Sequence, residues 1–125
     1  MIKQNNTAII DNRPIRFFEN AQEVWFWFCF CESFPKGHNE NTSYTMRPCE
    51  TSDIAIIVKR LVLEKKLTQE HLKILSLYGL KQIEPSERYG EPVRHCFLWK
   101  QALERLSKAF LSKGIIASVL LGVAL

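Results

Sequence analysis

The side chains best suited to chemistry in this chain are four cysteines (Cys29, Cys31, Cys49, Cys96) and three histidines (His38, His71, His95). Cys29-x-Cys31, with Cys49 and the adjacent pair His95-Cys96, offers thiolate and imidazole ligands of the kind zinc takes. Structural zinc sites, however, present C-x₂₋₄-C pairs with two to four residues between the cysteines, and here there is one. On a helix, residues i and i+2 point to nearly opposite sides. Cys29 and Cys31 also sit inside an aromatic run, where a small buried hydrophobe is expected. A nucleophilic role for Cys49 or Cys96 needs a base within reach, and His95 does not face its helical neighbour Cys96. His71 falls at the third position of a predicted helix, where an imidazolium opposes the dipole, so a neutral surface histidine is expected. His38, between Gly37 and Asn39, reads as a solvated loop residue. There is no glycine-rich phosphate loop, paired-carboxylate signature or H-E-x-x-H motif. No catalytic residue, metal or cofactor is assigned, and enzyme activity is not expected.

Charge is the other resource. The 125 residues carry 17 Lys and Arg against 13 Asp and Glu, a net charge of +4. Residues 1–50 hold five basic and six acidic residues, or −1, and residues 51–125 hold twelve and seven, or +5. A basic surface for a partner therefore belongs to the C-terminal part; such an asymmetry suits nucleic acid, an acidic protein or an anionic membrane surface, and also plain solvated helix faces. With 46% hydrophobic and 24% charged residues the composition is that of an ordinary globular domain. The N-terminus lacks the apolar core of a secretory signal, so reduced thiols and a cytoplasmic location are expected.

The elements that must position these residues are helical. Residues 1–18, broken by Pro14, read as an extended, partly mobile arm. Val24-Trp25-Phe26-Trp27-Phe28-Cys29-Phe30-Cys31 has no polar residue over its length, and a helix that is apolar all round belongs in the middle of a core. Asn20 as cap and Glu23 three residues on start this helix, expected over residues 20–32. Residues 33–50, with Pro35, Gly37 and Pro48, read as a surface loop. Thr51 or Ser52 caps a second helix to about Lys66, with Ile54, Ile57, Val58 and Leu61 on its apolar face. Thr68 caps a third, with Leu67 and Leu72 as a hydrophobic staple and Gly79 as its stop. After a loop over residues 80–92 a long helix runs to about Lys113, where Gly114 ends it. Its seam is Cys96, Trp99, Leu103, Leu106 and Phe110, with Arg94, Gln101, Arg105 and Lys108 on the opposite, solvated stripe. The uncharged stretch 114–125 would span about 18 Å as a helix, short of the roughly 30 Å hydrocarbon core, so no membrane anchor is expected.

The chain resembles a family of short alphaproteobacterial proteins to which no activity is assigned. The resemblance rests on the run from Phe18 through Phe28, on Arg47-Pro48-Cys49-Glu50 followed by Asp53-Ile54, and on Arg60-Leu61. It continues through His71-Leu72, Ile74-Leu75, Tyr78-Gly79, Trp99, Ala102-Leu103, Leu106 and Lys113-Gly114-Ile115, and covers roughly residues 17–116. Residues 67–79 are also similar to the opening helix of the helix-turn-helix of sigma factors and phage Q-type antiterminators. That likeness implies a transcriptional role, with the long helix and its Arg94, Lys100, Arg105 and Lys108 in the place of a recognition helix. The two prolines of residues 80–92 depart from the pattern where a positioning helix should lie, which puts base reading in doubt and leaves phosphate contact open.

The sequence thus predicts an all-α fold: an N-terminal arm (1–18), one helical domain (19–116) and an apolar C-terminal tail (117–125). The helical domain has about four helices around the aromatic one, with a tight helix pair near residues 52–79. It points to a small, non-enzymatic nucleic-acid-associated regulatory protein, whose partner is DNA or a nucleic-acid-bound protein complex. Lys59, Lys66, Lys73, Arg94, Arg105 and Lys108 are the expected contact residues. The alternative is a protein–protein adaptor. A DNA binder needs its Lys and Arg on one accessible face, and an adaptor needs an exposed apolar patch.

Overall fold

The computed structural model describes residues 14–33 and 47–116, and the regular elements among them are helices. The helices are α1 (Ala21–Glu32), α2 (Thr51–Leu63), α3 (Gln69–Lys81) and α4 (Val93–Ser112), with a 3₁₀ turn at Glu87–Tyr89 before α4. The expectations for the arm before residue 14, for the loop at 34–46 including His38, and for the tail after 116 lie outside the described residues.

Helix α1 packs against α2, α3 and α4, the central position its composition predicts. Asn20 caps it by accepting the Glu23 N–H at 2.9 Å, and the Glu23 carboxylate reaches back to the Glu19 N–H at 2.7 Å. Burial is not uniform around the helix, contrary to expectation. Val24, Trp25 and Cys29 are in the core, Phe26, Trp27 and Phe28 pack against its margin, and Phe30 is 45% exposed. With about 3.6 residues per turn, three neighbouring helices cannot enclose every side of a fourth. The aromatics are paired instead of engulfed: Trp25 lies 5.2 Å from Phe28, Phe26 5.7 Å from Trp99, and Trp27 5.0 Å from Phe18.

Phe18 corrects the expected arm. It is fully buried, pairs with Ile116 in a parallel bridge, and carries the Arg47 guanidinium 4.3 Å above its ring. Arg47 also donates to the Arg16 carbonyl at 3.3 Å. The Arg-Pro-Cys-Glu motif is thereby a clasp that holds the segment before α2 against the segment before α1.

The caps differ in detail from the expected ones. Helix α2 is capped at Glu50, not at Thr51 or Ser52, because the Asp53 carboxylate takes the Glu50 N–H at 2.8 Å. Thr68 caps α3 as expected, accepting the His71 N–H at 3.3 Å. The partner in this cap is His71 itself, which is buried at 2% exposure and not on the surface. Its Nδ1 accepts the Thr68 N–H at 3.0 Å, which leaves Nε2–H to donate to Gln101 Oε1 at 2.7 Å. Gly79 does not stop α3. It lies inside the helix at its crossing with α1, and the helix runs on to Lys81, two residues further. On α4 the buried seam is Leu98, Trp99, Ala102, Leu106 and Phe110, so Cys96 and Leu103 lie at its edges.

Three helices end in the same way. At α2, Lys66 N–H bonds to Leu61 C=O at 2.8 Å and Lys65 N–H to Val62 C=O at 3.0 Å. At α3, Ile83 N–H bonds to Tyr78 C=O and Gln82 N–H to Gly79 C=O; at α4, Ile115 N–H to Phe110 C=O and Gly114 N–H to Leu111 C=O. This paired closure places one residue in the left-handed region: Lys65 (φ 64°), Gln82 (φ 61°) and Gly114 (φ 73°).

Candidate functional site

The stripe of α4 read from the sequence as solvated faces the start of α3 and the turn that precedes it. Arg94 makes a two-pronged ion pair with Glu70, at 2.6 and 2.7 Å. Gln101 Oε1 accepts a hydrogen bond from His71 Nε2–H, and the half-buried Arg105 donates to the Lys66 carbonyl at 2.8 Å. Arg105 therefore fastens the α2–α3 turn to α4, and what it fastens is basic.

The ends of α2 and α4 enclose a groove of about 570 Å³. Arg60, Lys65 and Lys66 line it from the α2 side and Arg105, Lys108 and Lys113 from the α4 side, over a floor of Ile57, Leu61 and Ala109. Among the described lining residues Glu64 is the single acid, and it pairs with Lys66 at 3.5 Å. Among the described residues Arg60, Lys65, Lys108 and Lys113 have no ion pair or side-chain hydrogen bond. Two helix C-termini meet at this groove, and their partial negative charge offsets part of the repulsion between so many cations. The positive potential that remains is focused by the concave wall.

Ile57, Arg60 and Lys113 also border a second, smaller cavity of about 290 Å³, lined further by Pro48, Cys49, Asp53, Ile56 and Ile115. The groove is thus cationic at one end and mixed at the other, where Ile56, Ile57 and Ile115 meet Asp53, Arg60 and Lys113.

Of the six residues expected from the sequence, Lys66, Arg105 and Lys108 come together here. Arg94 is eleven residues up α4 from Arg105, about 16 Å along the axis, and is tied to Glu70. Lys59 and Lys73 are exposed on α2 and α3 and do not line the groove. Arg60, Lys65 and Lys113 were missed. The signal that points to them is position: all three lie in the last turn of a helix or just beyond it, where cations gather.

A second titratable cluster sits where α3 meets the start of α4. The buried Tyr78 hydroxyl donates to Glu91 Oε1 at 2.6 Å, so its oxygen accepts from His95 Nδ1–H at 2.8 Å. Burial first, then the bond to Glu91 and its charge, push the Tyr78 hydroxyl up to about 12. A phenol held protonated in this way is no base near neutral pH; the cluster joins α4 to α3. Burial, with the charge of Glu32 second, likewise pushes the Cys29 thiol up to about 11, which suits packing and not nucleophilic attack. No disulfide joins any of the four cysteines. Among the described residues no group of three or more His, Cys, Asp or Glu is placed to hold a metal ion. No helix among them is long and apolar enough to cross a membrane. Compared with protein-family models, with curated proteins and with solved structures, the chain matches none.

Proposed function

We propose that this chain is a small, non-enzymatic nucleic-acid-associated regulatory protein that grips phosphates in the α2–α4 groove. The observation that carries this reading is the convergence, among the described residues, of six Lys and Arg on one groove with a single acid. Four of the six have no partner among the described residues, and each is free to take a phosphate oxygen as a charge-assisted contact. Two further features favour contact with the phosphate backbone over base reading. Arg94 and Arg105, the arginines of the recognition-helix analogy, are already engaged by Glu70 and by the Lys66 carbonyl. Among the described residues no aromatic side chain lines the groove, so they offer stacked single-stranded bases no platform there.

The smaller compartment beside the groove, with Ile56, Ile57 and Ile115 in its wall, supports a second reading, an adaptor for an acidic protein segment that inserts one apolar side chain past Ile56 and Ile115. Titration of the protein with duplex DNA over a salt series separates the two. If the four unpaired cations each meet a phosphate, the log–log slope of affinity on salt is about −4, and Lys108→Ala with Lys113→Ala makes it shallower by about two. No DNA binding at low salt, together with capture of an acidic peptide carrying one large apolar residue, overturns the nucleic-acid reading in favour of the adaptor.

A further inference from the structure

The three left-handed closures differ in what their residue does. Gly114 is the residue that this backbone favours, because it has no Cβ to clash. Gln82 is not, yet its side-chain amide donates to the Gly79 carbonyl at 2.7 Å and to the Phe26 carbonyl at 2.9 Å. It completes the end of α3 and ties it to α1, and so has a structural reason to be there. Lys65 has neither property. It holds φ 64° with a four-carbon side chain, is exposed, and makes no ion pair or side-chain hydrogen bond among the described residues. Its neighbour Lys66 is paired with Glu64, and the turn itself is held by Arg105. The folded state therefore gains from the Lys65 ammonium only the weak, solvent-screened attraction of the α2 C-terminus, while a glycine here would relieve the backbone. What the ammonium does have is a place on the groove, among Arg60, Lys108 and Lys113.

We infer that Lys65 is a phosphate-binding residue, kept in a glycine position for its charge at the expense of stability. The arrangement suits the task. The closure of α2 and the Arg105 clamp fix the Lys65 backbone, so that binding orders only the side chain, and strained positions that the surrounding structure enforces gather at functional sites. This inference rests on the phosphate-binding reading of the groove and adds the residue that binding strength trades against folding.

The test measures two quantities that move in opposite directions. Lys65→Gly in the full chain is expected to raise Tm by about 4 °C and to make the salt slope for a short duplex DNA shallower by about one unit. Lys65→Ala removes the same charge but keeps the strained backbone, so it flattens the slope equally without the gain in Tm. A Lys65→Gly variant whose slope equals the parent's, while Lys108→Ala still flattens it, overturns the inference and leaves the groove reading intact. A Lys65→Gly variant that melts no higher than the parent overturns the claim that the lysine is held against stability. If Lys108→Ala and Lys113→Ala leave binding unchanged as well, the groove reading itself has failed.

Discussion

At Gly79, inside α3, a Cβ would stand 2.5 Å from Cys29 Sγ and 2.7 Å from Trp25 Nε1. The same Trp25 nitrogen donates to the Leu75 carbonyl at 2.8 Å, so the indole is pinned flat against the backbone of α3 and cannot swing away. A glycine in mid-helix ordinarily costs about 1 kcal/mol relative to alanine. Here that loss is outweighed by the approach of α1 that it permits. Gly79→Ala is expected to destabilise the protein despite its better helix propensity. Overpacking of about 1–3 kcal/mol against that gain leaves a net loss of about 1 kcal/mol. Urea melts of parent and variant check it, and an unchanged or raised midpoint would show that the two helices can separate at no cost. His71 is the other residue whose identity only its surroundings explain. It occupies the capping-box position usually held by Glu or Gln, and its ring passes the bond on to Gln101 of α4.

At the scale of elements, the long helix is the part whose polar side does two kinds of work. Its Arg94, Gln101 and Arg105 make the joints to α3 and to the α2–α3 turn, and Lys108 and Lys113 face the groove without partners. Replacements along one stripe therefore separate into two classes. Arg105→Ala removes a charged hydrogen bond to a backbone carbonyl and is expected to lower stability by about 1–2 kcal/mol while also weakening phosphate contact. Lys108→Ala is expected to leave thermal melting unchanged and to alter the salt dependence alone. Equal melts for the two variants would show that the Arg105 joint contributes nothing to the seating of the turn. Helix α1 divides its work similarly: Val24, Trp25 and Cys29 fill the core, and Phe26 and Trp27 reach sideways to Trp99 and Phe18.

The whole molecule carries two buried protons that link its stability to alkaline pH. Cys29 lies where α1 meets α3 and Tyr78 where α3 meets α4, with thiol and phenol raised to about 11 and about 12. Unfolded, they titrate near about 8.5 and 10. Both groups hold their protons more tightly in the folded state than in the unfolded one. The stability they contribute is thus whole below the unfolded values and is lost as pH climbs through the folded ones. Unfolding free energy is expected to fall progressively from about pH 9 toward pH 12. Tyr78→Phe, which removes the phenol and its bond to Glu91, should flatten the upper part of that fall. Urea midpoints measured across the range check this, and a parent curve that does not fall above pH 9 counts against it.

The helices could be read from the chain because their signals are local. The apolar run of α1, the Asn20 and Thr68 caps, the Gly114 closure and the long amphipathic period of α4 depend on residues within one or two turns of each other. All-helical architecture and the central place of α1 follow from those signals together. Spacing along one helix does not say which flank another helix will cover. For that reason the sequence placed Arg105 in solvent, His71 on the surface, Phe18 in an arm and Gly79 at a helix end. Half of the expected basic residues reached one groove, since Lys66, Arg105 and Lys108 are brought together where the C-terminal ends of two distant helices meet. The others did not, and Arg60, Lys65 and Lys113 joined in their place. Charge summed along a chain has no direction; only the meeting of two helix ends gives it a face.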